Sequence, residues 1–397
     1  MRILVYPHQL VMGGSQINAI ELAAAVRDRG HRVTVTAPDG ELVPMIEKLG
    51  LDFLPTPVTT TYPAARTVLH LDRTVRRLGI DLVHAYEWRP SVEAAFGPHL
   101  AFRTPVLMTV LSMRVPAFLP QHLGLLVGTQ ELLHEAGGRQ KLHLMEPPVD
   151  TVWCRSTDVA KARARWSFVD EQIVVGVVCR LTSELQKLEG VLEAIRTMGA
   201  MADECPLTFL IVGDGEGREQ VEAEARVINR RRGYQLVRVA GAMIDPRDAY
   251  EAADIMLGMG SSALKAMAFG KPLIVQGTDG FWQLLDRQSL PVFLQQGWFG
   301  QGGGGQRDLA RDLFLLAGDP ALRQSLGLFG RQVVEERFSL DVAADRLIDI
   351  YRDAMIDTPR LGERLPSMLR SAVEVAKFRT LMGLRASGQV LASWAGQ

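Results

Sequence analysis

The stretch that decides the fold reads Ile255-Met-Leu-Gly-Met-Gly-Ser-Ser-Ala-Leu-Lys-Ala-Met-Ala-Phe-Gly-Lys-Pro-Leu-Ile-Val-Gln276. Apolar runs at its two ends predict short buried strands over residues 255–257 and 273–276. Between them, Ser261 or Ser262 is positioned to cap a helix, and a glycine and a proline follow as a helix-stop signal. The stretch therefore predicts a strand, a turn, a helix and a second strand, which is the repeating unit of an α/β sheet.

The turn before this helix has a composition that suits an anionic ligand. Gly258 and Gly260 carry no side chain, so a ligand can approach the backbone there. The start of the helix offers free N–H groups and the positive end of its dipole to an anion. These features predict a phosphate pocket at the carboxyl end of a parallel strand, although an ordinary strand-to-helix connection has the same pattern.

Composition limits the class of protein. The 397 residues predict two or three domains, and 47% hydrophobic residues are enough to fill their cores. A net charge of −1 predicts no nucleic acid partner. Cys154, Cys179 and Cys205 are odd in number and lack metal-ligand spacing, which favours a reducing compartment and predicts no metal site. No segment reads as a signal peptide or a membrane span, so we expect a cytoplasmic protein that is at most peripheral at the membrane.

The first 150 residues alternate between strand and helix patterns. Strands are predicted near residues 2–6, 32–37, 81–85, 106–110, 125–127 and 141–144. After a loop that ends with Gly13 and Gly14, Ser15 is positioned to cap a helix over residues 16–29. Because a strand–helix–strand order implies a parallel sheet, we predict one doubly wound domain over residues 1–150.

A second series of strands and helices follows and extends to residue 335. Its strands are predicted over residues 173–178, 207–212 and 236–240. Ser156 is positioned to cap the first helix of the series. Arg180 and Lys187 follow the carboxyl end of the first strand, where open α/β sheets bind their ligands.

The segment Leu264-Lys-Ala-Met-Ala-Phe-Gly-Lys-Pro-Leu-Ile274 resembles the donor-site motif of the family 4 glycosyltransferases, which are retaining enzymes with the GT-B fold. That motif usually reads Glu, seven residues, Glu, and then Ala-Met-Ala-x-Gly-x-Pro-Val. Leu257 and Lys265 stand at the places of the two glutamates, so the motif is degenerate here. The resemblance implies two Rossmann-like parallel-sheet domains that face each other across a cleft, with residues 336–397 forming closing helices that cross back to the first domain and a basic tail.

The resemblance also implies roles for individual residues. Arg180 and Lys187 match the basic pair that stabilises the departing diphosphate, which makes them the implied catalytic residues. The implied donor-binding residues are Gly13, Gly14, Gly213, Asp214, Gly260, Ser261, Ser262 and Lys265. On the sugar and acceptor side the implied residues are His84, Glu87 and Arg114. His84 also fits a buried, hydrogen-bonded histidine at the end of a strand.

Three functions fit this pattern. The first is transfer of a hexose or N-acetylhexosamine from a nucleotide-sugar, most often UDP-linked in the family, to a small metabolite, lipid or glycan, with retention and without cofactor or metal. The second is a nucleotide-binding partner subunit whose donor site has decayed, because both motif glutamates are missing. The third is a nucleotide-sugar epimerase on the same fold.

The last part of the chain contains helices and a basic tail. Residues 277–280 predict a loop that enters a helix at Phe281, and residues 298–305 predict a mobile glycine-rich loop, either a lid or a surface connection. Helices are predicted over residues 306–317, 320–336 and 340–355. Residues 358–397 carry six basic and two acidic side chains. Their apolar spacing predicts an amphipathic helix that packs on the first domain, or weakly contacts a membrane or a partner subunit.

Overall fold

The chain folds into two compact units. The structure, a computed structural model, describes residues 1–59, 63–112, 114–356 and 361–386, with side chains described through residue 380. The first unit contains Met1–Met145 and the described residues from Ala344 onward, and the second contains Glu146–Ala343.

The first unit is built on a seven-stranded sheet in which every pairing is parallel. Its strands are β1 Arg2–Tyr6, β2 Arg32–Ala37, β3 Asp52–Pro55, β4 Leu82–Tyr86, β5 Val106–Val110, β6 Gly124–Val127 and β7 Leu142–Leu144. They lie in the order β3-β2-β1-β4-β5-β6-β7. The intervening helices are α1 Gly14–Asp28, α2 Val43–Lys48, α3 Ala65–Leu78, α4 Trp88–Ala94, α5 Leu100–Phe102 and α6 Gln130–Glu135.

The second unit is built on a six-stranded sheet in the order β10-β9-β8-β11-β12-β13. These strands are β8 Ile173–Val178, β9 Leu207–Val212, β10 Val237–Gly241, β11 Ile255–Gly258, β12 Leu273–Gln276 and β13 Trp282–Leu284. Its helices are α7 Val159–Arg165, α8 Lys187–Met201, α9 Arg218–Arg232, α10 Arg247–Ala252, α11 Ser261–Ala268, α12 Leu290–Gln296, α13 Gln306–Gly318 and α14 Pro320–Arg337. All pairings are parallel except that between β12 and β13.

Two further helices complete the described chain. Helix α15, Leu340–Ile356, starts at the end of the second unit and continues into the first, and helix α16 spans Leu361–Ala386. Met368 and Val375 of α16 are buried in the core of the first unit, where Phe378 packs on Trp88 and Phe118. The predicted tail helix therefore exists and packs on the first unit. Among the described residues, no helix combines the length and apolar composition that crossing a membrane requires.

The continuous apolar strands of the second sheet are explained by burial on both faces. Val174, Met256 and Val275 belong to one hydrophobic cluster. Their chain neighbours Val175, Leu257 and Ile274 belong to another. Because successive side chains of a strand point to opposite faces, each strand contributes to two cores, which requires an uninterrupted apolar run.

Most predicted elements match the structure within two residues, but four local predictions were wrong. Ser15 does not cap α1, which begins after Gly13, and Ser156 does not cap α7, which is capped by Asp158. Neither Ser261 nor Ser262 caps α11, since the cap position is Gly260. The segment from Phe281 enters strand β13 rather than a helix, because it turns back to pair antiparallel with β12.

Candidate functional site

Strand order determines where the site of the second unit lies. The chain crosses from β8 to β9 on one side of the sheet, while β11 lies on the other side of β8. At such a reversal the loops after the two central strands diverge and leave a crevice at their carboxyl ends. Val177 of β8 pairs with Leu257 of β11, so the loops that carry Arg180 and Ser261 begin side by side.

The turn after β9 packs directly on the loop after β8 through backbone atoms. The Leu181 N–H donates to the Asp214 carbonyl at 2.9 Å, and the Gly217 N–H donates to the Leu181 carbonyl at 2.9 Å. A Cβ added at Gly213, where φ is +155°, would lie 1.8 Å from the carbonyl oxygen of Cys179. Glycine is therefore required at this position by a close backbone approach.

The Asp214 carboxylate is held within its own turn. It accepts hydrogen bonds from the Gly215 N–H at 2.8 Å and from Arg218 at 2.8 Å. These two bonds hold the pKa of Asp214 below its usual range. Asp214 is thus an ionised, exposed group that is already paired with a cation.

The two implied catalytic cations lie at the ends of one loop. Arg180 is exposed just beyond β8, and Lys187 is the first residue of α8. Ahead of Lys187, both Leu185 and Gln186 have left-handed φ angles of 52°, which turns the chain sharply into the helix. The Lys187 Nζ lies 3.3 Å from Glu184 Oε2 and is only 19% exposed. The crevice therefore has a cation and a helix start on the β8 side.

The start of α11 supplies the other side of the crevice. Gly260 has φ 55° and ψ −129°, which favours glycine, and its N–H donates to the Trp298 carbonyl at 2.9 Å. The Ser262 hydroxyl donates back to the Met259 carbonyl at 3.0 Å, while Ser261 is exposed. Lys265 is half-buried one turn into the helix, and within the described residues its ammonium has no hydrogen-bond or ion-pair partner.

Three further polar residues, which no sequence motif indicated, connect the loops after β8 and β12. Gln186 donates to Asp279 Oδ1 at 3.2 Å and accepts from the Asp279 N–H at 2.8 Å. Gln276 donates to the Gln186 carbonyl at 3.1 Å. Polar residues at a strand end were the only available signal, because the partners are about 90 residues apart in the chain.

In the first unit, Glu87 connects three loops at the carboxyl ends of the central strands. It accepts hydrogen bonds from the Ser15 hydroxyl at 3.1 Å, the Leu111 N–H at 3.0 Å and the Ser112 hydroxyl at 2.8 Å. Burial raises the pKa of the Glu87 carboxyl, and the bonds from Ser112, Leu111 and Ser15 oppose that shift. Glu87 also has a left-handed φ of 68°. This uncommon backbone conformation turns the chain at the residue whose carboxylate accepts these hydrogen bonds.

His84 lies deeper in the first unit and is 1% exposed. Its Nδ1 lies 2.7 Å from the Tyr351 hydroxyl and its Nε2 lies 2.6 Å from Thr109 Oγ1. Burial lowers the pKa of His84 to about 3, so the ring is neutral at physiological pH. This geometry is that of a buried, hydrogen-bonded histidine. Arg114 is exposed on the loop after β5.

The N-terminal glycine loop has a different character from that of the second unit. Gly13 precedes α1 with an extended φ of −170°, and Gly14 is the first residue of the helix. A Cβ at Gly13 would meet only the end of the Gln16 side chain, which can move.

A missed residue lies nearby: Glu93, fully buried, accepts from the Tyr6 hydroxyl at 2.6 Å and from the Ala64 N–H at 3.0 Å.

Two family models match consecutive parts of this chain. The model described as a glycosyl transferase 4-like domain matches residues 13–176, and the model described as glycosyl transferases group 1 matches residues 172–295. The two matches together span more than half of the 397 residues. The chain is a GT-B glycosyltransferase. A comparison of its sequence with curated proteins gives no match.

Solved structures share the fold of this glycosyltransferase at low sequence identity. A glycosyltransferase from Rickettsia africae is 14% identical with a TM-score of 0.72, covering 89% of this chain and 98% of that one. HepE from Anabaena, in complex with UDP, is 18% identical with a TM-score of 0.70, covering 89% and 100%. TarM from S. aureus, whose structure contains UDP, is 9% identical with a TM-score of 0.62, covering 88% and 100%. The predicted fold class of two Rossmann-like parallel-sheet domains is confirmed.

Proposed function

We propose that this glycosyltransferase transfers a hexose or N-acetylhexosamine from a UDP-sugar to an acceptor with retention of configuration. The observation that carries the proposal is the crevice at the strand reversal of the second sheet. Arg180, Lys187 and the start of α11 converge there from adjacent strand ends. Support for the donor comes from the Anabaena neighbour, which is recorded in complex with UDP and with UDP-glucose.

In this proposal the chain acts on the leaving group. Breaking the sugar–phosphate bond leaves negative charge on the diphosphate, and fixed cations and helix starts stabilise that charge most in the transition state. Arg180 and Lys187 are the residues proposed for this role, with no cofactor and no metal ion required. The departing phosphate oxygen takes the proton of the acceptor hydroxyl as the new bond forms on the same face of the sugar.

Lys265 would replace the usual contact to the ribose with a contact to phosphate or sugar oxygens. It lies on the second turn of α11, and a helical side chain leans toward the helix start. The Lys265→Glu variant should then bind UDP less tightly than the unmodified protein. Equal or tighter UDP binding by that variant would rule out this role for the lysine.

The first test is thermal unfolding with UDP, GDP, ADP and dTDP, each with and without its sugar. At about 100 times its dissociation constant, a ligand stabilises the folded state by roughly 2.7 kcal/mol. We expect a shift with UDP that Arg180→Ala removes and Arg226→Ala retains, because Arg226 is an exposed arginine on α9. If none of the nucleotides shifts the unfolding temperature, the result would instead favour a partner subunit whose donor site has decayed.

A second measurement separates binding from catalysis. The protein is incubated with UDP-glucose or UDP-N-acetylglucosamine, with and without candidate lipid, glycan and small-molecule acceptors. An acceptor-dependent product supports transfer, and its anomeric signal by NMR tests retention. A donor whose sugar changes configuration without any acceptor would instead identify an epimerase.

We also propose that α16 contacts an anionic membrane surface. One exposed stripe of this helix carries the apolar side chains Leu361, Leu365, Leu369 and Val373, each more than half exposed. Arg370 and Lys377 are exposed along one margin of that stripe, at a spacing of seven residues. An apolar stripe bordered by cations suits a surface of acidic lipid head groups.

Sedimentation with vesicles tests this contact. The protein should bind vesicles that contain phosphatidylglycerol more than vesicles of phosphatidylcholine alone, and Leu365→Asp should reduce binding several-fold. Val227→Asp, at an exposed apolar position on α9, is the matched control. Equal binding of the two vesicle types, or no binding to either, would overturn the proposal.

A further inference from the structure

The first unit has a small cavity at one edge of its sheet. This edge is opposite the one at which Glu87 lies. Val106 starts β5, Gly124 starts β6, and Lys141 directly precedes β7, and all three residues line the cavity. The strands are parallel, so this is the amino-terminal edge of three neighbouring strands. The cavity therefore belongs to none of the loops that form the site described above.

The charged residues that line the cavity in the described part of the chain are all basic. Arg103, Lys141 and Arg364 line it together with His99 and His122, and no acidic residue is among the described residues of its lining. Arg103 has a left-handed φ of 59° and is exposed. Arg364 comes from the first turn of α16, so the cavity joins the sheet edge to the C-terminal helix.

Hydrogen bonds determine the state of the two histidines. His99 Nδ1 lies 3.0 Å from the Thr104 carbonyl oxygen, so that nitrogen must carry the proton and donate. His99 Nε2 must then accept from His122 Nε2, which lies 3.0 Å away. His122 Nδ1 in turn accepts from the Ser367 hydroxyl at 2.8 Å. Both rings are thereby held neutral by one chain of bonds that ends on α16.

The electrostatic environment of the histidines is positive. Burial, followed by the neighbouring His99 and the charges of Arg364, Lys141 and Arg139, lowers the pKa of His122 to about 4. Burial also lowers the pKa of His99, and Arg364 and Lys141 act in the same direction. The charged side chains named as lowering these two pKa values are cationic, and a field of that sign stabilises a bound anion.

The size of the cavity selects a small ion. Its volume is about 60 Å³. A water molecule requires roughly 10–15 Å³ by this measure, so the cavity holds about four to six water-sized atoms. A tetrahedral oxyanion has four oxygen atoms, and guanidinium groups bind such oxygens in pairs.

We propose that this cavity is a phosphate site, in which Arg103, Lys141 and Arg364 bind a phosphate dianion or the phosphate monoester end of a larger molecule. The bound anion would link Arg364 of α16 to the strand ends and hold the start of the helix on the first unit. This site goes beyond donor binding and transfer, and its ligand is recognised by charge and shape rather than by a base or a sugar.

The test measures binding of inorganic phosphate by calorimetry, against chloride at matched ionic strength. Arg103→Gln and Arg364→Gln should each weaken binding by about tenfold or more, since each removes a charged hydrogen-bond donor. Lys377→Gln, at an exposed position of α16 outside the cavity, should have no effect. Arg103 is on the surface, so its variant keeps the test valid even if Arg364→Gln unfolds.

Phosphate bound at the donor crevice must be separated from phosphate bound here. Binding that persists in Arg180→Ala and is lost in Arg364→Gln supports the cavity, whereas the reverse result, or binding equal in all variants, overturns the proposal. Imidazole NMR signals of His99 and His122 should shift on phosphate addition, and unchanged signals would contradict it. Glycerol 3-phosphate and vesicles that contain phosphatidic acid then distinguish a soluble ester from a lipid head group.

Discussion

The two sheets share their central strand order, but the loops at the carboxyl ends of their strands are held together by different groups. The order β3-β2-β1-β4-β5 of the first sheet corresponds to β10-β9-β8-β11-β12 of the second. In the first unit, buried carboxylates join separate segments, since Glu87 accepts from Ser15 of α1 and from the loop after β5, and Glu93 accepts from Tyr6 and Ala64. In the second, backbone N–H and carbonyl groups join the loops after β8 and β9 at glycines that admit no side chain, and side chains such as Gln186 join only the loops after β8 and β12.

This difference affects the charged groups that the carboxyl-terminal edge of each sheet, called here the first and the second edge, offers to a ligand. Using acidic side chains to join loops leaves the first edge with buried acidic groups whose pKa is raised. Beside its backbone contacts the second edge carries the basic side chains Arg180, Lys187 and Lys265, and the Lys187 Nζ lies 3.3 Å from Glu184 Oε2. One topology thus places buried carboxylates at one edge and three basic side chains at the other, and basic side chains suit a diphosphate.

The largest expected effect tests the backbone contacts of the second unit. Gly213→Ala should lower the free energy of unfolding by about 3 kcal/mol or more, because its Cβ would overlap the Cys179 carbonyl. Gly233→Ala is the matched control, since φ there is +77° and no atom lies within 4 Å of the added Cβ. It should cost about 1–2 kcal/mol, measured by urea unfolding. Equal losses in the two variants would show that the close contact is not needed.

The next effect tests the carboxylate of the first unit. Glu87→Ala should cost about 2–3 kcal/mol, because two hydroxyls and the Leu111 N–H lose their buried acceptor. Glu87→Gln keeps an acceptor oxygen and should cost less than half as much. Glu135→Ala, at an exposed position on α6, serves as the control and should change stability little. If Glu87→Ala behaves like Glu135→Ala, the carboxylate does not hold the three loops together.

The smallest effect concerns pH. His84 has a pKa of about 3 in the folded chain and about 6.5 when unfolded, so only the unfolded state takes up a proton between these values. Its contribution to stability is complete above about pH 6.5 and falls as the pH approaches 3. At pH 5.5 the loss from this residue is on the order of 1 kcal/mol. His84→Gln should therefore show a shallower decrease in stability from pH 7 to pH 5.5, and an unchanged slope would contradict the buried neutral ring.

Sequence patterns predicted the strands well because their signal is local. The predicted strands over residues 106–110, 173–178, 207–212 and 273–276 have the observed bounds. Burial on both faces makes such a strand a nearly continuous apolar run, so the pattern is visible without knowledge of its neighbours. The strand order, which makes the loops that carry Arg180 and Ser261 begin side by side, was not predicted from the sequence.

The helix caps failed for the opposite reason. Ser15 was expected to cap α1, but its hydroxyl donates to Glu87, 72 residues away. Ser156 was expected to cap α7, but its hydroxyl donates to Glu251, 95 residues away. A serine hydroxyl can satisfy a helix end or a distant carboxylate, and the distant partner is invisible in the local sequence.

The sequence by itself determined two α/β sheets, the glycines of the turns and the basic residues that follow β8, because apolar runs, turn chemistry and charge are properties of neighbouring residues. Only the tertiary structure decided that Glu87 would be buried among three loops, that His84 would be neutral, and that α16 would bring Arg364 to a basic cavity. Burial and hydrogen bonding between distant residues set these states, and both arise only when strands far apart in the chain lie side by side.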